Sequence, residues 1–143
     1  MSSIEERLAT LEAKDEIREL TARYCFAVAE GRAEDIVAMF CEDGVFMMRE
    51  DRRFTGQAEL RQMYNGAAEG VTPKPYIQNH VIEVNGDNAT GRCGVEIRMV
   101  RKGEAYTAAG HYFDTYRKVN GQWLFAERDF RTFHMVPLAK GWA

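Results

Sequence analysis

Apolar residues in the first part of the chain recur with a helical period. Ile4, Leu8 and Leu11 follow Ser3, and Glu6 stands three residues after that serine, the spacing of a capping box at a helix start. A second stripe, Ile17, Leu20, Tyr24 and Val28, keeps the period until Gly31, a residue type that ends helices by entering the left-handed region. Ile36, Val37, Met39 and Phe40 predict a short third helix, and Val45 to Arg49 a short strand. Gly56 with Glu59 opens a further helix running to about Tyr64.

From Tyr76 onward the period changes to two. Asn85-Gly86-Asp87-Asn88, Lys102-Gly103 and Asn120-Gly121 separate β-rich runs, and short glycine-containing loops favour tight hairpins. The expected strands cover about 76–85, 88–101, 104–118 and 122–134, an antiparallel meander. Because side chains alternate and a short loop sets the register, these turns also assign faces. Pairing Arg101 with Glu104 sets Met99 opposite Tyr106, Ile97 opposite Ala108, Val95 opposite Gly110, Cys93 opposite Tyr112 and Gly91 opposite Asp114 on one inner face. Thr90, Arg92, Glu96, Arg98, Thr107, His111 and Arg117 then share the outer, polar face. Pairing Val84 with Ala89 adds Ile82, His80, Gln78 and Tyr76 to the inner face, with His80 beside Cys93. In the last strand, strict alternation from Trp123 and Phe125 would bury Glu127, Asp129 and Arg131. A β-bulge near Phe125 to Glu127 instead turns Arg128, Phe130 and Thr132 inward, and that is the arrangement expected.

Composition narrows the class. With 143 residues, three prolines, no Ser/Gly linker and no repeat, residues 1–143 read as a single α+β domain. A net charge of −3 lacks the concentrated basic face that nucleic acid requires. No apolar run reaches bilayer length, and Met1 to Glu6 is polar and acidic rather than basic and then apolar like a secretion signal. Neither a nucleic-acid nor a membrane partner is expected, and the expected location is cytoplasmic. Cys25, Cys41 and Cys93 are odd in number and share no CxxC spacing, which predicts reduced thiols. His80, His111 and His134 show no HxH or HxxxH spacing, and no phosphate loop or dinucleotide fingerprint is present, so neither a metal nor a cofactor is expected.

Four polar side chains fall on the apolar inner surface: Tyr24 from the helix, and His80, Asp114 and Arg128 from the sheet. Buried polar groups cost on the order of 1–3 kcal/mol each unless partnered, and charged ones cost more. One reading gives them chemistry: His80 as general acid or base, Tyr24 and Arg128 polarising an oxygen, and Asp114 orienting a partner. The other reading is structural: Asp114 and Arg128 form an ion pair across adjacent strands, Tyr24 bonds a carbonyl, and His80 is a satisfied core residue. Gly91, Cys93 and Gly110 occupy the middle of this face, where small residues are expected to leave volume. Phe46, Met48, Tyr76, Val95, Ile97, Gly110, Tyr112 and Phe130 are the expected lining of an apolar pocket for a small organic, aromatic molecule.

The helix EIRELTARYCFAVAEGR, the following DIVAMFCEDGVF, the strand IEVNGDNATGR, the hairpin GHYFDTYRKVNGQW and the closing VPLAKGW resemble the SnoaL-like branch of the nuclear transport factor 2 superfamily over nearly the whole chain. The resemblance implies a cone-like fold, with N-terminal helices laid on a strongly curved antiparallel sheet, and a homodimer or homotrimer. It implies a cofactor-independent lyase or isomerase of the dehydratase or C–C lyase kind, or a non-catalytic binder of the same fold. Catalytic members resembling scytalone dehydratase or lindane dehydrochlorinase carry an Asp late in the second helix and a His at the start of the first long strand. Those positions hold Ala29 and Pro75 here. Tyr24 matches the helix tyrosine of members similar to bile-acid dehydratases, and Tyr112 matches a pocket aromatic.

Overall fold

The structure is a computed structural model that describes residues 1–48, 51–66 and 70–141. Helix α1 (Ile4–Ala29) leads into α2 (Ala33–Ala38), strand β1 (Phe40–Met48), strand β2 (Arg53–Thr55) and helix α3 (Gly56–Gly66). The meander follows as β3 (Lys74–Asn85), β4 (Asn88–Arg101), β5 (Glu104–Val119) and β6 (Gln122–Pro137), with a closing 3-10 turn at Leu138–Lys140. The strands form one six-stranded sheet in the order β2-β1-β6-β5-β4-β3. It is antiparallel except where β1 lies parallel to β6, which brings the N-terminal half alongside the end of the chain. The architecture is α+β, with α1 packed on one face of a curved sheet and α3 closing against β1. Among the described residues no helix is long and apolar enough to cross a membrane.

The two helices expected before Gly31 are one. Glu12 to Glu16 contains no Gly or Pro, so the intervening turn propagates without a break. Its start carries the anticipated capping box: the Glu6 N–H donates to Ser3 Oγ at 3.1 Å and the Ser3 N–H to Glu6 Oε2 at 2.9 Å. Only the later stripe is buried, however. Ile17 and Leu20 are 0% and 1% exposed, whereas Ile4, Leu8 and Leu11 are 76%, 53% and 65% exposed, so the first three turns stand off the core. Full burial of Ile17 and Leu20 contributes roughly 1.5–3 kcal/mol each, enough to hold α1 on the sheet. Helix α2 ends at Ala38, and Phe40, expected in that helix, begins β1 instead. Arg49, the expected end of that strand, lies outside the described residues.

The β4–β5 register is the one the Lys102-Gly103 turn predicts, from Arg101↔Glu104 through Cys93↔Tyr112 to Gly91↔Asp114. Strand β3 departs from expectation. Its pairing with β4 shifts between Gln78 and Val81, where Asn79 adopts φ 54, in the left-handed region that asparagine tolerates. The extra residue reverses the alternation on the N-terminal side. Ile82 and His80 point inward as expected, but Pro75 and Ile77 replace Tyr76 and Gln78 beside Ile97 and Val95. Tyr76 is 51% exposed on the outer face, where Arg98 lies 5.5 Å over its ring.

Strand β6 carries two irregularities. Thr115 pairs with Glu127 but Tyr116 with Phe125, so Ala126 is the extra residue of the expected bulge, and Arg128 and Phe130 are turned into the core. A second shift, between Gly110↔Thr132 and Ala109↔His134, leaves Phe133 as an extra residue on the outer face, against His111. Thr132, expected inside, is exposed. Gly110 is required at this second bulge, because a Cβ there would collide with the Arg131 carbonyl. Gly94, one strand over, has room: its nearest neighbour to an added Cβ is 3.4 Å away. Gly110→Ala is therefore expected to lower the unfolding free energy by about 1–3 kcal/mol in urea titrations, with Gly94→Ala within about 0.5 kcal/mol of wild type. Equal midpoints for the two variants would contradict this account of the bulge.

Candidate active site

The Ala126 bulge delivers a guanidinium to the middle of the interior. Arg128 stands opposite Asp114 on β5, and its Nε and Nη2 donate to Asp114 Oδ1 and Oδ2 at 2.9 and 2.8 Å. Both side chains are 0% exposed. This two-pronged geometry is the strongest pairing a carboxylate accepts, and in a buried setting each charge requires the other. Three rings wall the cation: Tyr112 at 3.7 Å from Arg128 Cζ, Tyr24 at 4.3 Å and Phe125 at 4.4 Å. Arg128 Nη1 is buried and meets no hydrogen-bond acceptor among the described residues.

A chain of hydrogen bonds leaves the other side of Asp114. The Tyr116 hydroxyl donates to Asp114 Oδ2 at 2.9 Å, and His80 Nε2 lies 3.1 Å from the Tyr116 oxygen. His80 and Asp114 are thus linked through Tyr116. On the other side of Arg128, the hydroxyls of Tyr24 and Tyr64 share a 2.8 Å hydrogen bond. Tyr24, on the last turns of α1, also meets Tyr112 edge-on.

Burial dominates the electrostatics. It pushes the Tyr24, Tyr64, Tyr112 and Tyr116 hydroxyls above their ordinary range, with Arg128 opposing the shift in each case. Burial likewise pushes the Cys25 and Cys93 thiols up to about 11 and about 12, which keeps both protonated and inert. For Arg128 burial works against the charge, yet Asp114 outweighs it and holds the guanidinium cationic. His80 is half-buried, and desolvation lowers its pKa from 6.5; Asp114 opposes this while Arg128 and Arg18 reinforce it. Its imidazole is therefore neutral at pH 7.

The structure gathers Tyr24, Asp114 and Arg128 into one buried cluster and sets His80 at its edge. Of the expected lining, Phe46, Val95, Ile97, Gly110, Tyr112 and Phe130 are buried and Met48 is half-buried, whereas Tyr76 faces outward. Tyr116, unassigned by the sequence reading, is the link between His80 and Asp114. Its signal was present: it lies two residues beyond Asp114, on the same face of β5. The expectation that glycines hollow this wall is corrected. A Cβ on Gly91 would sit 2.8 Å from both Tyr116 Cε2 and Oη, so that glycine makes room for a tyrosine, and Gly110 makes room for the second bulge. Met48, Met63, Tyr64, Ile77 and Met99 are half-buried and pack against the core.

Two surface grooves lie elsewhere. One, of about 570 Å³, runs between α1, α2 and the β5–β6 turn past Leu20, Arg23 and Trp123, and another of about 390 Å³ follows the β4–β5 hairpin end past Arg98, Tyr106 and Leu138. Among the described residues no group of three or more His, Cys, Asp or Glu side chains converges as metal ligands would. His111 sits on the outer face, 3.3 Å from Arg92. At the two dyad positions, Ala29 closes α1, and Pro75 is buried opposite Ile97.

The family model described as a SnoaL-like domain matches residues 9–129. A solved structure provisionally named a scytalone dehydratase, from Novosphingobium aromaticivorans, is 25% identical over 88% of this chain and 87% of its own, with a TM-score of 0.83. Rv3472 from Mycobacterium tuberculosis, described as of unknown function and solved as an Asp-to-Asn variant, is 28% identical over 95% of this chain and 79% of its own, with a TM-score of 0.81. LinA is 20% identical over 90% of this chain and 91% of its own, with a TM-score of 0.82, a likeness of fold. No curated protein matches the chain.

Asp114→Asn keeps the shape of the pair and removes the charge that Arg128 requires. It is expected to destabilise the fold by about 3–5 kcal/mol in chemical denaturation, and a loss under about 1 kcal/mol would show that the pair is not buried as described. For His80 the sign follows from its lowered pKa. Between that value and 6.5 the unfolded chain binds the extra proton first, so this contribution to stability is intact above 6.5 and declines as pH falls through the window. Urea midpoints followed from about pH 8 to about pH 5 are expected to show a shallower acid decline in His80→Gln than in wild type. Superimposable declines would exclude His80 as the titrating group.

Proposed function

Because the chain belongs to the SnoaL-like family, we propose that it is a cofactor-independent lyase or isomerase acting on a small aromatic or polycyclic molecule. One observation carries the reading: the Arg128 guanidinium is wholly buried among aromatic rings, yet among the described residues its Nη1 hydrogens meet no acceptor. A buried donor without a partner is costly, and a substrate oxygen gaining negative charge is the partner that such a group suits. The Tyr24–Tyr64 pair adds to this, since two hydroxyls joined by one hydrogen bond retain one hydrogen that their mutual contact does not use.

In this reading His80, neutral at pH 7, takes a proton next to a carbonyl or phenol oxygen. The electron pair moves toward the oxygen that Arg128 and the tyrosine pair hold. A leaving group then departs, or the proton returns at another carbon. Asp114 keeps the guanidinium aimed and charged. In this reading the substrate enters past the half-buried side chains Met48, Met63, Ile77 and Met99. The relative provisionally named a scytalone dehydratase supports the dehydratase form of the reading. The expected homodimer or homotrimer and the cytoplasmic setting belong to the same proposal.

A second reading, a binder of the same ligand class without chemistry, is favoured by Ala29 and Pro75 at the positions where the family's acid–base dyad stands. Turnover separates the two. Wild-type protein incubated with a panel of hydroxylated aromatic and polycyclic ketones, with products followed by mass spectrometry, is expected to convert at least one compound. His80→Ala, folded by circular dichroism, is expected to lose roughly 10²–10⁴-fold in rate, the range for a missing general base. Compounds that bind tightly and are recovered intact would establish the binder instead.

A further inference from the structure

We propose that Tyr116 is a positioning residue that fixes His80 as its Nε2–H tautomer and leaves Nδ1 as the basic nitrogen of the site, with Gly91 kept bare so that the two rings can meet. The argument is a count of hydrogens. Asp114 accepts from Arg128 on both oxygens, and an ionised carboxylate has no hydrogen to give. Tyr116 has one hydrogen, and its 2.9 Å contact with Asp114 Oδ2 uses it, since a charged acceptor outcompetes a neutral imidazole nitrogen. The Tyr116 oxygen can then only accept, so the hydrogen in its 3.1 Å contact with His80 comes from Nε2. A neutral imidazole carries a single N–H, which leaves the lone pair on Nδ1. Among the described residues, the only hydrogen bond of the His80 ring is the one through Nε2.

Two backbone features hold this contact. His80 points inward beside Tyr116 at the end of the Gln78–Val81 bulge, where Asn79 adopts φ 54. Gly91 lies under both rings: an added Cβ would stand 2.8 Å from Tyr116 Oη and 3.2 Å from His80 Nε2. Gly91 is not in the left-handed region, so the constraint there is space alone. In a proton transfer, Nδ1 takes the hydrogen while the C–H or O–H electron pair stays with the substrate. The ring becomes an imidazolium that keeps its Nε2–H on Tyr116, and the same Nδ1 later returns the proton. This catalytic use rests on the reading proposed above; the tautomer does not.

The test is long-range ¹H–¹⁵N correlation NMR of the His80 ring in the uniformly labelled full chain, above pH 6.5, with His80→Gln identifying the signals. Wild type is expected to show a protonated Nε2 and a pyridine-like Nδ1. In Tyr116→Phe, and independently in Gly91→Ala, the two nitrogen shifts are expected to move toward each other as the tautomers mix, with circular dichroism unchanged. A wild-type ring protonated at Nδ1, or a ring pattern that neither substitution alters, overturns the proposal. An Nε2–H ring in a protein that converts no substrate supports the positioning role and removes the lyase reading. An Nδ1–H ring in an active enzyme does the reverse.

Discussion

The Asp114–Arg128 pair is the constraint around which the interior is arranged. Two opposite charges removed from water persist only when each supplies the other's hydrogen bonds, and this pair does so with both carboxylate oxygens engaged. The surroundings follow from that requirement. Rings from α1, β5 and β6 stack on the guanidinium, Tyr116 braces the carboxylate from the far side, and the β6 bulge exists because Arg128 must point inward while Glu127 must not. The pair ties β5 to β6 and, through Tyr24, fastens the sheet to α1. A scaffold element and a functional group are here the same side chain.

Much of this was legible in the chain. Glycine turns at Asn85-Gly86, Lys102-Gly103 and Asn120-Gly121 set hairpin registers, and alternation then carried those registers across the strands to Gly91 and Asp114. The first β6 bulge followed from charge, since unbroken alternation would have turned the ionisable Glu127, Asp129 and Arg131 inward. What escaped were features with no charge penalty to betray them. The Asn79 bulge exchanges Tyr76 for Ile77, and either side chain suits a half-buried wall. The merger of two helices into α1 turned on an absence of breakers rather than on a positive signal.

The site was partly legible for the same reason. Buried polar residues on an apolar face, Tyr24, His80, Asp114 and Arg128, stand out by their cost. Tyr116 did not, because a tyrosine is half apolar and fits a core pattern, and Gly91 read as space when it was clearance for that ring. Small residues opposite large ones on a sheet are ambiguous until the neighbour's rotamer is known. The family match covers residues 9–129, yet the positions of its acid–base dyad hold Ala29 and Pro75.

The extra residue at Ala126 has an evolutionary corollary. A strand has a reading frame of two, and Ala126 is the single position that brings Trp123 and Phe125 into phase with Arg128 and Phe130. Without Ala126, Phe125, Glu127 and Arg128 would simply alternate in, out and in, so the strand would lose its bulge and keep its cation opposite Asp114. Descendants of this sequence can therefore shed the bulge at Ala126 in a single deletion and retain the pairing of β6 with β5 on both sides of it.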